Sequence, residues 1–140
     1  MHHNENSMKQ RSNNLILLVE DEPTILFAFQ ETIKKKGYDY VIASDGKEGL
    51  AKAQELLPAL IITDVGMPQI DGFDLCKTLK NTPATSHIPI IIVTAHTQRK
   101  AHQLGELAGA DAFIEKPFKL KELSDEIDRC LSKSSDVRSL

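Results

Sequence analysis

The chain has 140 residues, 41% of them hydrophobic, with a formal net charge of -3 and a pI near 5.9. That length holds one domain with its own core rather than two. The slightly acidic balance excludes the basic stripe that direct nucleic-acid binding or an anionic membrane surface calls for.

The opening MHHNENSMKQRSNN is polar and lacks the apolar run of a signal peptide, so residues 1–13 are expected to be a disordered tail or tag remnant. His2 and His3 within it read as a chance pair or tag residue rather than a metal site. Leu15 to Val19 is a continuous apolar run of strand length that stops abruptly at Glu20 and Asp21. Pro23 suits the first turn of a helix whose Leu26, Phe29 and Ile33 recur at helical spacing until Gly37. The alternation repeats with Tyr38 to Ala43 as strand, Lys47 to Leu57 as helix before Pro58, and Leu60 to Thr63 as strand ending at Asp64. A helix from about Phe73 to Lys80, the β-branched strand Ile90 to Val93 ending at Thr94, and a helix from about Gln98 to Ala108 follow. The short strand Ala112 to Ile114 and a helix from Leu120 to about Leu131 close the series, with Leu120, Leu123, Ile127 and Leu131 as the inward stripe.

Near-continuous apolar strands separated by amphipathic helices predict an α/β fold, a five-stranded doubly wound parallel sheet with helices on both faces. The domain is expected over residues 14–132, with 133–140 as a flexible polar tail too short to form an output module. Cys76 and Cys130 stand far apart, without metal or redox spacing, and read as small apolar residues of a reducing cytoplasm. No run is long enough to span a bilayer.

Ligands of open α/β sheets bind outside the carboxyl ends of the strands. There the first strand presents Glu20 and Asp21, the third Asp64, the fourth Thr94, and Lys116 follows the fifth. Acids gathered in a partly desolvated cleft repel one another and call for a cation. Oxygen ligands without His or Cys favour a hard ion that keeps waters, Mg²⁺ rather than Ca²⁺ or zinc. Lys116 and Thr94 then suit the oxygens of an incoming phosphoryl group, with Asp64 placed to attack it. Each residue alone has a plainer reading. Acids cap helices, Lys34 to Lys36 end a helix, Asp71 before Gly72 belongs to a turn, and Asp74, Asp111 and Glu115 are solvated charges. The functional reading rests on convergence.

From about Leu15 to Leu131 the chain resembles the receiver domain of two-component response regulators. The resemblance lies in LLVEDEP, ITDVGMPQIDG, IIIVTAH and FIEKPF, in that order. It implies a flavodoxin-like strand order 2-1-3-4-5, and Asp64 as the phospho-acceptor. It implies Mg²⁺ held by Asp21, Asp64, the Gly66 backbone carbonyl and, mainly through metal-bound water, Glu20. Thr94 and Lys116 would contact the phosphoryl oxygens, and Phe113 would be the switch aromatic. The Lys116–Pro117 bond is commonly cis in the family. A cytoplasmic histidine kinase or histidine phosphotransfer protein would supply the phosphoryl group. A downstream protein would read the surface of the fourth helix, fifth strand and fifth helix, and catalysis would extend only to the chain's own phosphorylation and dephosphorylation.

Gly66 and His96 depart from usual occupants at positions that modulate phosphoryl lifetime in the family. A titrating His96 would tie turnover to pH between about 5 and 8, against the plain reading of a loop histidine without a role. Three rival readings differ in chemistry. A Mg²⁺-dependent phosphohydrolase of the haloacid dehalogenase type would need an acid where Gly66 stands. A flavodoxin-like phosphate-binding module would meet the repelling acids Glu20, Asp21 and Glu22. A docking module without phosphorylation would have no use for the acids, Thr94 and Lys116.

Overall fold

The computed structural model describes residues 14–66, 69–95 and 99–139, and the side chains of all but 99–102 and 133–139. Strands and helices alternate along it: β1 (Leu15–Val19), α1 (Pro23–Lys35), β2 (Asp39–Ala43), α2 (Gly46–Leu56), β3 (Leu60–Asp64), α3 (Gly72–Lys80), β4 (Ile90–Thr94), α4 (Arg99–Ala108), β5 (Ala112–Glu115) and α5 (Leu120–Ser139). All paired strands run parallel, in the order β2-β1-β3-β4-β5.

Local chemistry starts the helices where the strands deliver the chain. Glu22 caps α1 by accepting from the N–H groups of Thr24 at 3.2 Å and Ile25 at 2.9 Å, and Pro23 occupies the first turn. Asp45 accepts from Glu48 N at 2.8 Å to start α2, and Asp71 from Asp74 N at 2.9 Å to start α3. Asp71 is thus a cap, one step more specific than the turn residue expected.

Alternate strand residues fill two cores, one on each face of the sheet. Ile16, Leu18, Ile62, Ile91 and Ile114 meet Phe29 and Ile33 of α1 and Leu123 and Ile127 of α5. Leu17, Val19, Ile61, Ile90 and Ile92 meet Ala53 of α2 and Leu75 and Leu79 of α3. At the sheet margin Ala43 O accepts from Glu20 N, so the preceding carbonyl, Ile42 O, faces outward. There it accepts from Lys52 Nζ at 2.6 Å, and the same ammonium pairs with Glu48 at 2.9 Å.

Three expectations are corrected. Leu120 is 49% exposed, and the buried stripe of α5 is Leu123, Ile127 and Cys130. α5 also continues to Ser139, through the stretch expected to be a tail, because nothing after Leu120 breaks a helix: neither Pro nor Gly occurs there. Asp111 is half-buried rather than solvated, and its Oδ2 accepts from Lys80 Nζ and from Ile90 N, each at 2.8 Å. It ties α3 to the start of β4, on the edge of the sheet away from the strand carboxyl ends.

Cys76 is fully buried on α3, and its thiol donates to Ala108 O at 3.4 Å. Desolvation pushes its pKa up to about 12. At pH 8 the thiolate fraction is then on the order of 10⁻⁴. The folded chain is expected to leave Ellman's reagent untouched for minutes at that pH, and the denatured chain to release both thiols. Prompt reaction of Cys76 in the folded state, located by peptide mass, would contradict this burial.

Candidate functional site

Because the strands are parallel, their carboxyl ends share one edge, and in-register pairing brings the expected residues there. Val19 of β1 pairs with Thr63, Asp64 of β3 with Val93, and Thr94 of β4 with Glu115. The next residue along β1 is Glu20, and the next after β5 is Lys116, whose N–H donates to Thr94 O at 2.7 Å. The Lys116–Pro117 bond is cis.

Lys116 Nζ is the centre of the cluster. It lies 3.3 Å from Asp64 Oδ2 and 3.8 Å from Glu20 Oε1, with side-chain exposures of 19%, 16% and 0% for Lys116, Asp64 and Glu20. Thr94 is buried beside them on β4. Phe113 lies partly buried against the α3 side of the core, together with Phe73. Asp21 and Gly66 are both exposed at the rim. A Cβ at Gly66 would meet nothing within 4 Å among the described residues. His96 lies outside the described residues.

The two neighbouring acids Glu20 and Asp21 differ sharply. Glu20 turns inward, and its Oε2 accepts from Asp21 N at 3.2 Å and Glu22 N at 3.1 Å. Its Oε1 is buried without a hydrogen-bond partner. Burial raises the Glu20 pKa, the Glu22 N–H bond opposes it, the Asp64 charge raises it further, and Lys116 and the Asp21 N–H bond hold it back. An unpartnered buried carboxylate oxygen is what a hard cation or its bound water satisfies. Among the described residues no three acid, His or Cys side chains are drawn together as a metal cage. The donor set fits a divalent ion through oxygens alone, with Glu20 and Asp64 inside and Asp21 at the rim.

The raised pKa fixes a sign. The folded chain holds the Glu20 proton more tightly than the unfolded chain does. Stability from this group is therefore fully present below the ordinary value of 4.5 and is lost as pH rises through the folded value. In a chelator, Glu20→Gln is expected to unfold at higher urea than the wild type from about pH 5 to 8. A lower midpoint for Glu20→Gln throughout that range would contradict the burial cost.

Glycines that make room for the site were missed in the sequence. A Cβ at Gly72 would lie 2.5 Å from Asp64 O, and one at Gly46 would lie 1.8 Å from Ile70 O. Asp71–Gly72 reads locally as a turn, and Gly46 falls just before the expected start of its helix at Lys47, so neither glycine is marked as opening a helix.

A sequence model of the response regulator receiver domain matches residues 16–128. The chain is 37% identical over 122 residues to the alkaline phosphatase synthesis transcriptional regulatory protein PhoP of Bacillus subtilis, covering 87% of this chain and 50% of that protein. It thus spans about half the length of the curated relative it matches. Among solved structures, the signal receiver domain of a signal transduction histidine kinase from Syntrophus aciditrophicus superposes with a TM-score of 0.80 at 35% identity, covering 86% of this chain and 91% of that one. The receiver domain of the sensor histidine kinase PA1611 from Pseudomonas aeruginosa PAO1 gives 0.78 at 26% identity, covering 85% and 98%, and holds a magnesium ion in its active site cleft.

Proposed function

The chain belongs to the response regulator receiver domain family, and from that premise we propose that Asp64 is its phospho-acceptor, served by Lys116, Thr94, Glu20, Asp21 and Gly66. A receiver is a phospho-accepting signalling switch. The observation that supports Asp64 is its place 3.3 Å from the Lys116 ammonium on the edge where Glu20 and Thr94 also end.

Asp64 lends a carboxylate oxygen to the phosphorus of a donor, and the donor's leaving group departs with its bonding electron pair. Lys116 then exchanges its carboxylate contact for phosphoryl oxygens, and Thr94 donates its hydroxyl to another. Glu20, Asp21, Asp64 and the Gly66 carbonyl would hold Mg²⁺, which supplies the charge that lets acids and phosphoryl group share one cleft. The N–H groups of Asp21 and Glu22 keep Glu20 turned inward for that role. Phe113 passes the change to the surface of α4, β5 and α5. Gly66, which leaves the acyl phosphate open to water, and His96 set its lifetime.

The donor is a histidine kinase or histidine phosphotransfer protein of the cytoplasm, and the reader is another protein rather than nucleic acid. No described helix is long and apolar enough to cross a membrane. No separate substrate is turned over, because Gly66 offers no proton to a leaving group. The functional unit is the domain expected over 14–132, extended by the end of α5 to Ser139.

Incubation with acetyl phosphate and Mg²⁺, read by intact mass, tests the function. One phosphoryl adduct is expected, removed by hydroxylamine as an acyl phosphate is and suppressed by a chelator. An adduct indifferent to both treatments would exclude this chemistry.

A further inference from the structure

α4 carries a glycine in its interior, Gly105, where alanine is the better helix former. A Cβ built there would lie 2.9 Å from Cδ1 and 3.2 Å from Cε1 of Phe113, with Phe73 Cε1 at 3.8 Å. The space of the missing methyl group is therefore taken by the Phe113 ring.

The end of α4 that bears Gly105 is fixed. Gly109 N donates to Glu106 O and Ala110 N to Gly105 O, with Gly109 at φ 86, which is the double-bonded helix ending. Cys76 holds the adjacent carbonyl of Ala108. A side chain at position 105 would thus displace the ring and not the helix. The ring has somewhere to go, since a cavity of about 180 Å³ lined by Gly105, Glu106, Ala110, Asp111, Ala112 and Phe113 adjoins it.

We propose that Gly105 is a positioning residue of the switch: it seats Phe113 in its resting place and so sets how readily phosphorylation shifts the chain. The inference rests on the reading of Phe113 as the switch aromatic. Filling the seat raises the energy of the conformer in which the ring lies on Gly105. In the phosphoryl-competent conformer, on this proposal, the ring has left that seat, so the fraction of that conformer grows. Apparent affinity for a phosphoryl mimic rises by the same factor.

The test uses the whole chain labelled with 4-fluorophenylalanine at its five Phe positions, the Phe113 resonance being the one lost in Phe113→Leu. In Gly105→Ala that resonance is expected to move before any ligand is added, in the direction it takes in the wild type on adding beryllofluoride with Mg²⁺. Gly105→Ala is also expected to bind beryllofluoride roughly fivefold more tightly, and to lose that gain in the Phe113→Leu background. An unmoved Phe113 resonance in Gly105→Ala would overturn the seat. So would an affinity gain that survives in Phe113→Leu, since it would then come from the helix. Failure of the wild type to bind beryllofluoride would overturn the acceptor reading instead, and the unliganded resonance still decides the seat.

Discussion

Asp64→Asn is expected to stay at its unmodified mass under conditions in which the wild type takes up one phosphoryl group from acetyl phosphate. The substitution keeps the shape of the side chain and removes the anionic oxygen that attacks, so the loss of labelling rate should reach at least about 10³-fold. It also removes one of the two negative charges facing Lys116, Glu20 being the other. The charge of Asp64 adds to the forces that disfavour ionised Glu20. Its neutralisation therefore relieves strain in the metal-free cleft, and the variant should unfold at a temperature no lower than the wild type. A folded Asp64→Asn chain that still acquires a hydroxylamine-labile phosphoryl group would move the acceptor to another carboxylate.

Gly46→Ala should cause the largest loss of stability among single-methyl changes near the site. The added Cβ would sit 1.8 Å from Ile70 O, 2.7 Å from its carbonyl carbon and 2.8 Å from Ile70 Cβ. Backbone fills that space, and neither side can retreat easily. Asp45 fixes the first turn of α2 through Glu48 N, and the opposing loop already holds Gln69 at φ 74, a strained value for a residue with a side chain. Overpacking of this kind costs about 1–3 kcal/mol or more, which outweighs the gain of under about 1 kcal/mol from replacing a helical glycine. The thermal midpoint should fall by about 5–10 °C. Lys47→Ala, one residue along on an exposed position, should stay within about 0.5 kcal/mol of the wild type. A Gly46→Ala midpoint at or above that of Lys47→Ala would show that Ile70 moves aside without cost. Because the displaced loop starts at Asp64, phosphoryl labelling should slow as well.

Most strands were legible because each is a short apolar run cut off by a charge or a hydroxyl, and at β1, β3, β4 and β5 those cut-offs are the site. Leu15–Val19 and the acids after it are one signal read twice. Pattern and spacing alone do not distinguish Glu20 from Asp21, and only the family resemblance assigns them different roles. The fold separates them, because two backbone N–H groups at the head of α1 draw Glu20 inward while Asp21 remains in solvent. Asp111 was misread for a different reason. Its neighbours are small and carry no mark of Lys80, 31 residues earlier, or of the Ile90 N–H, and only the closed sheet brings those donors to it. The end of α5 was misjudged on polarity, a cue to exposure that says little about whether a helix stops. Gly105 left no trace either, since what it accommodates comes from β5, beyond the end of its own helix.

Lys52 has a consequence beyond the pair it makes with Glu48. β2 is a margin of the sheet, and an unpaired margin is a template on which a strand of another molecule can zip. With the Lys52 ammonium already bonded to the outward carbonyl of Ile42, an arriving strand must displace a charge before it gains its first backbone bond. On the β2 side, strand addition is thereby disfavoured, and the β5 margin is the one left beside the surface that a partner would read.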